Sequence, residues 1–196
     1  VGTGKTVTIT PSYSGADVNN YSITNHADVN ANITAKALTV SGITASSKTY
    51  DGSTSATLDT SSVLYNGLVS GDTFNGSYTG AFSNANVGTG KTVTITSSYS
   101  GADTGNYSVT DQSSTTADIS TKALTATASA SNKTYDGSTT ASTTLTFSGL
   151  VGSETLGQTV GSTFDNKNVG SNKTVTVNSI TLADGSGLAA NYSISA

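Results

Sequence analysis

The sequence predicts an all-β fold built as tandem repeats, and three observations predict it. The stretch Lys48-Thr49-Tyr50-Asp51-Gly52-Ser53-Thr54 returns unchanged at residues 133–139, and its surroundings return with it. Apolar and polar residues alternate in short runs such as Lys5-Thr6-Val7-Thr8-Ile9-Thr10, the period of a strand with one face in a core. The composition is rich in Thr, Val, Ser, Asn and Gly and poor in Glu, Gln, Met and Arg. It therefore favours strands and turns over helices. A chain with only 34% hydrophobic and 10% charged residues could also be disordered. Val, Ile, Leu and Tyr recurring in register in each copy argue for a packed core instead.

Composition also limits function. With no Cys, disulfides and thiolate metal sites are excluded. The eight basic residues, all Lys, are scattered among twelve acids for a net charge of −4, which makes nucleic acid a poor partner. No apolar run approaches the roughly 18 residues of a membrane-spanning helix, so no membrane insertion is expected.

Residues 1–32 run from Val1-Gly2-Thr3-Gly4-Lys5 through Gly15-Ala16-Asp17 to Asn20-Tyr21-Ser22-Ile23, and the same passage returns from Val87 to Val109. They read as the C-terminal third of a preceding repeat, with Val7 and Ile9 on the buried face of a strand. Pro11, the only proline, stands at that strand's end, where a missing N–H does least harm. Residues 33–118 form a complete repeat, opening on Lys36-Ala37-Leu38-Thr39, which returns as Lys122-Ala123-Leu124-Thr125. The strands on either side of this opening are separated by two or three residues without Gly or Pro, a stiff joint. In the Tyr-Asp-Gly turn, Gly52 supplies positive φ and Asp51 accepts from nearby backbone N–H groups, with Tyr50 laid on the edge of the core. Further strands follow, from Tyr65-Asn66-Gly67-Leu68-Val69 (matched by Phe147-Ser148-Gly149-Leu150-Val151) and from Phe82 onward (matched from Phe164). Turn signals about every 8–12 residues suit a sandwich or barrel. Residues 119–196 repeat this course but stop one strand short, without a counterpart of Thr116-Ala117-Asp118-Ile119. The abrupt ends are those expected of a piece of a longer array.

The ordered series Lys-Ala-Leu-Thr, Lys-Thr-Tyr-Asp-Gly-Ser-Thr, Gly-Leu-Val-x-x-acid-Thr, Asn-Val-Gly-x-x-Lys-Thr-Val and Gly-Ala-Asp-x-x-Asn-Tyr resembles the YDG repeat domain, a relative of MBG-type repeats. That family occurs in large secreted bacterial adhesins of the filamentous-haemagglutinin, two-partner-secretion kind. The resemblance spans essentially the whole chain. It implies immunoglobulin-like antiparallel β-sandwich repeats in an elongated rod, at the bacterial cell surface, with no enzymatic activity and no binding residues to carry over. The last copy departs from the pattern at Leu182-Ala183-Asp184-Gly185.

The residues that could carry chemistry each have a plainer reading. His26 is the only His, and the matching position is Gln112, so a Ser–His mechanism cannot belong to the repeat. Glu154, the only Glu, matches Asp72, and nothing marks the two as paired glycosidase carboxylates. Asp103 with Asn106, and Asp17 with Asn20, could offer oxygens to Ca²⁺, the one cofactor left open. A calcium site wants about six oxygens, and an Asx-turn explains these residues without an ion. Lys36 and Lys122, and Lys5, Lys91 and Lys173, recur at positions where an intramolecular isopeptide bond could form, but no acid is placed to assist it. They read as surface lysines that guard sheet edges. Thr92, Thr94 and Thr96 make one polar strand face, too short for an ice-binding array. Asn-x-Ser/Thr sequons stand at Asn20, Asn32, Asn75, Asn106, Asn132, Asn172 and Asn191.

No catalytic, cofactor or metal residue is therefore assigned. The expected function is that of stalk or spacer repeats of a surface adhesin, in contact with neighbouring repeats. Host or matrix glycans or proteins would be engaged through another region, in cell adhesion and biofilm. The alternative is that each repeat is a weak glycan- or protein-binding module acting by avidity.

Overall fold

The computed structural model describes residues 1–194, so the last two residues of the 119–196 repeat lie outside it. In chain order the first strands are β1 (Gly2–Val7), β2 (Val29–Ile33), β3 (Lys36–Ser41), β4 (Thr44–Ala45), β5 (Lys48–Thr49) and β6 (Ser55–Ala56). Next come β7 (Leu58–Asp59), β8 (Leu64–Asn66), β9 (Asn75–Phe82), β10 (Gly88–Ser100), β11 (Tyr107–Thr110) and β12 (Ser114–Ser120). The last are β13 (Lys122–Ala130), β14 (Thr143–Ser148), β15 (Leu156–Phe164), β16 (Val175–Asp184) and β17 (Tyr192–Ile194). About 51% of the chain is strand, and among the described residues there is no α-helix, only three short 3₁₀ turns. The expected fold class, all-β, is what the chain adopts. Thr- and Val-rich alternation drives it: along β10, Val93 and Ile95 are buried while Thr92, Thr94 and Thr96 are exposed.

The chain forms two compact units whose boundaries are not those of the sequence period. Unit 1 comprises Val1–Ile43, Thr60–Tyr78 and Thr96–Ser113; unit 2 comprises Thr44–Asp59, Thr79–Ile95 and Ser114–Ala196. Unit 1 holds the pair β1-β2 and the sheet β11-β3-β8, with Leu38, Val40, Ile43, Phe74 and Tyr107 buried. Phe74 is ringed by Tyr65, Tyr99 and Tyr107 at centroid distances of 5.3, 5.0 and 5.8 Å. Unit 2 holds the sheet β5-β12-β10-β9-β6, except for residues 75–78 of β9 and 96–100 of β10, which belong to unit 1, together with the sheet β14-β13-β17 and the pairs β15-β16 and β4-β7. Its core gathers Tyr50, Ala56, Phe82, Val93, Ala117, Ile119, Leu124 and Tyr192.

Two expectations are amended. Pairing is not antiparallel throughout, because β11–β3, β12–β5 and β13–β17 run parallel. Each of these pairs joins strands far apart in the chain, with several reversals of direction between them. Only Thr34 and Ala35 separate β2 from β3, and only Thr121 separates β12 from β13. The chain therefore leaves one sheet and enters the next without room to reverse direction. The second amendment concerns residues 1–32. The first strand ends at Val7, and Val7 and Ile9 are exposed rather than half-buried. β1 pairs with β2, whose five residues are all exposed as well, whereas the matching Val93 and Ile95 lie in the five-stranded sheet of unit 2. Pro11 lies beyond the end of β1.

Candidate functional site

The Tyr-Asp-Gly turn is built locally and identically in both copies. Asp51 Oδ1 accepts from the Ser53 N–H at 2.8 Å and from Lys48 Nζ at 2.8 Å, while Gly52 takes φ 75°. Asp136 Oδ1 accepts from the Ser138 N–H at 2.8 Å and from Lys133 Nζ at 2.9 Å, and Gly137 takes φ 79°. Each Lys also stands over an aromatic ring, Phe82 or Phe164. These bonds hold both aspartates below the usual carboxylate range, Asp136 at about 2, chiefly through the lysine.

The tyrosines of the two turns differ. Tyr50 is 5% exposed and Tyr135 is 58% exposed. Tyr50 is covered within unit 2 by residues of the following repeat. Its hydroxyl donates to Glu154 Oε1 at 2.7 Å, and its ring meets Tyr192 edge-on at 5.4 Å. The Tyr192 hydroxyl donates to Glu154 Oε2 at 2.5 Å and accepts from the Val151 N–H at 3.0 Å. One carboxylate thus takes a phenol on each oxygen, one from either repeat. Asn191, also buried, accepts from the Val87 N–H at 2.9 Å and donates to Asn86 Oδ1 at 3.1 Å, a second link between the repeats. At Gly52 a Cβ would come within 2.9 Å of Val151 Cγ1, so this glycine serves close approach as well as the turn.

Half of this arrangement recurs in unit 1. The Tyr107 hydroxyl donates to Asp72 Oδ2 and accepts from the Val69 N–H at 3.0 Å. Asn106 Oδ1 accepts from the nitrogen of Val1, the counterpart of Val87, at 3.2 Å. The acid at position 72 or 154 is therefore a tyrosine acceptor in both copies.

The carboxylates raise the phenols. Tyr50 is pushed up to about 12, first by its hydrogen bond to Glu154 and then by burial. Tyr192 and Tyr107 are raised by burial first, and then by Glu154 and Asp72. An unfolded tyrosine ionises near 10. Unfolded chains therefore lose the proton first as pH rises, and folding stability falls. The contribution of Tyr50 is intact below about pH 10 and is lost by about pH 12. We expect the urea midpoint of the protein to drop across that window, and to drop less steeply in Tyr50→Phe. Equal slopes would mean that the Tyr50 proton is not held by Glu154.

Other candidates take structural places. His26 is exposed, with Nδ1 3.1 Å from the Ala27 carbonyl oxygen, while Gln112 at the matching position holds both the N–H and C=O of Ile43. Asp72 and Glu154 stand in separate units, each bonded to tyrosine. Asp103 Oδ2 accepts from the Thr73 N–H at 2.8 Å, a clamp across a loop rather than a local Asx-turn. Asp17 caps a 3₁₀ turn that ends at Asn20, with the Asn20 N–H bonded to the Asp17 carbonyl. Among the described residues, no three of His, Cys, Asp and Glu come together as metal ligands. Lys91 donates to Asn84 Oδ1 at 2.7 Å, and Lys173 donates to Asn166 Oδ1 at 2.7 Å and pairs with Asp165. Asp165 is held below the usual carboxylate range, first by its hydrogen bond from that lysine. Lys5 lies exposed on β1, and Lys36 and Lys122 open β3 and β13. At the sequon of Asn191 both amide atoms are engaged and the residue is buried, which leaves no room for a glycan in the folded protein.

Residues 34–117 and 120–196 each match the model of the YDG domain. No curated protein and no solved structure matches the chain.

Proposed function

Because the chain belongs to the YDG domain family in two tandem copies, we propose that it is a structural spacer, a stretch of stalk in a secreted bacterial surface adhesin. The observation that carries this reading is Glu154, which receives hydroxyls from Tyr50 of one repeat and Tyr192 of the next. A spacer must transmit force and orientation from repeat to repeat. Glu154, half-buried and bonded on both oxygens, ties residues of both sequence repeats into one compact unit, which a flexible linker between them would not do. The module is immunoglobulin-like in this reading, needs no cofactor and performs no catalysis. Its partners are its neighbouring repeats, and any host or matrix ligand is met elsewhere. Burial of Tyr50, Tyr107 and Tyr192 favours the spacer over binding by avidity, which would call for aromatics exposed in every copy.

Small-angle X-ray scattering of the chain in dilute solution tests the proposal. A pair-distance distribution with a long tail, ending near the summed length of the repeats, is expected. A compact, near-spherical profile would mean that the repeats fold back on one another, and the spacer would have to be abandoned.

A further inference from the structure

The second repeat carries a groove of about 770 Å³, lined by residues 130–135 and 138 on one side and by 164, 166–173 and 175 on the other. These walls have counterparts in the first repeat: Lys133-Thr134 matches β5, and Gly170–Val175 matches the start of β10. In the first repeat those two segments are strands, and β12 lies between them. It runs antiparallel to β10, with Ile119 beside Gly88 and Ala117 beside Lys91, and parallel to β5, with Ile119 beside Lys48. In the second repeat Lys133-Thr134 and residues 170–174 are not in strands.

The backbone of the groove nevertheless keeps a receptor for one side chain. Gly90, at φ 58°, donates its N–H to Asp118 Oδ1 at 2.7 Å, and Gly4, at φ 61°, donates to Asn32 Oδ1 at 2.8 Å. Asn172 occupies the same position at φ 53° and is the one non-glycine with positive φ among the described residues. A left-handed conformation disfavours a side chain with a Cβ, and here it presents an N–H as the two glycines do. Val169, at the mouth of the groove, is 88% exposed, whereas its counterpart Val87 is half-buried.

We propose that this groove is the acceptor site for an extended strand of the type Ala-(Asp/Asn)-Ile-(Ser/Thr), placed after β17 as β12 is placed after β11. Its Ile lies beside Gly170 and Lys133 and its Ala beside Lys173. Its Asp or Asn side chain accepts from the Asn172 N–H, and the carbonyl after Ile accepts from the Tyr135 N–H, as that of Ser120 accepts from Tyr50. Such strand addition gives both walls a backbone partner and buries the two apolar side chains at once. The inference rests on the repeat and is independent of what the array does.

The test compares three chains by amide hydrogen exchange: the protein as it is, the protein with a copy of residues 112–122 appended, and that extended form with the appended Ala and Ile changed to Asp. Because the substitutions lie in the appended segment, the rest of the fold is untouched. The extended chain is expected to slow exchange at Lys133–Tyr135 and Gly170–Val175 by about tenfold or more, and to raise the melting temperature. The Asp form is expected to do neither. No protection in the extended chain overturns the proposal, as does equal protection by the Asp form. Concentration-dependent protection of the same amides in the unextended chain would assign the groove to a second copy and overturn it too.

Discussion

Tyr50→Ala is expected to destabilise the protein by about 3–5 kcal/mol, the range for truncating a large aromatic core residue. Tyr135→Ala is expected to change stability by no more than about 0.5 kcal/mol, as exposed substitutions do. The two tyrosines sit in identical heptapeptides with the same Asp–Lys–Ser turn beneath them, so local sequence cannot distinguish them. Surroundings do. Tyr50 lies in the core of unit 2 against Tyr192, whereas Tyr135 stands open beside the groove. Urea denaturation of the two variants and the parent, followed by circular dichroism, measures the contrast. Similar losses in both variants would show that the turn, rather than the contact with the following repeat, is what the tyrosine stabilises. Loss in neither would remove the junction from the account of stability.

What could be read in advance was local. The Tyr-Asp-Gly turn follows from a glycine able to take positive φ next to an aspartate able to cap an N–H two residues on, and both copies form it. The strand face of Val93 and Ile95 follows from alternation, and the joint at Thr121 follows from the absence of Gly and Pro. Alternation alone did not reveal that Val7 and Ile9 would be exposed. Burial of a strand face depends on the sheet it joins, and β1 joins β2 alone. Glu154 was visible as a single acid matched by Asp72, but its role was not. Its two phenols come from positions 50 and 192, which only the fold brings together. One sign of that role was present in the sequence: an acid kept in both copies within Gly-Leu-Val-x-x-acid-Thr, where a loop on the surface alone would not need it. The parallel pairing of β13 with β17 had no local signature, because it joins Lys122 to Tyr192 across the whole second repeat.

Glu154→Ala should cost about 2–6 kcal/mol, since it strands two hydroxyls, each worth about 1–3 kcal/mol when its partner is removed. Asp72→Ala, which strands the hydroxyl of Tyr107, should cost about half as much. Glu154→Gln keeps the shape and one carbonyl acceptor, so its loss should fall between the parent and Glu154→Ala, the difference reporting the charge-assisted part of the bonds. Destabilisation alone would not identify the partner, because many substitutions destabilise. A double-mutant cycle does so. Tyr50→Phe in the parent removes a hydroxyl bonded to a carboxylate, and about 1.5–3 kcal/mol should be lost. In the Glu154→Ala background the same change removes a hydroxyl that has already lost its acceptor, so it should be close to neutral. Additive losses would mean that Tyr50 and Glu154 act independently. The link between repeats would then rest on Asn191 and its bonds to Asn86 and Val87, and Asn191→Ala would become the more damaging substitution.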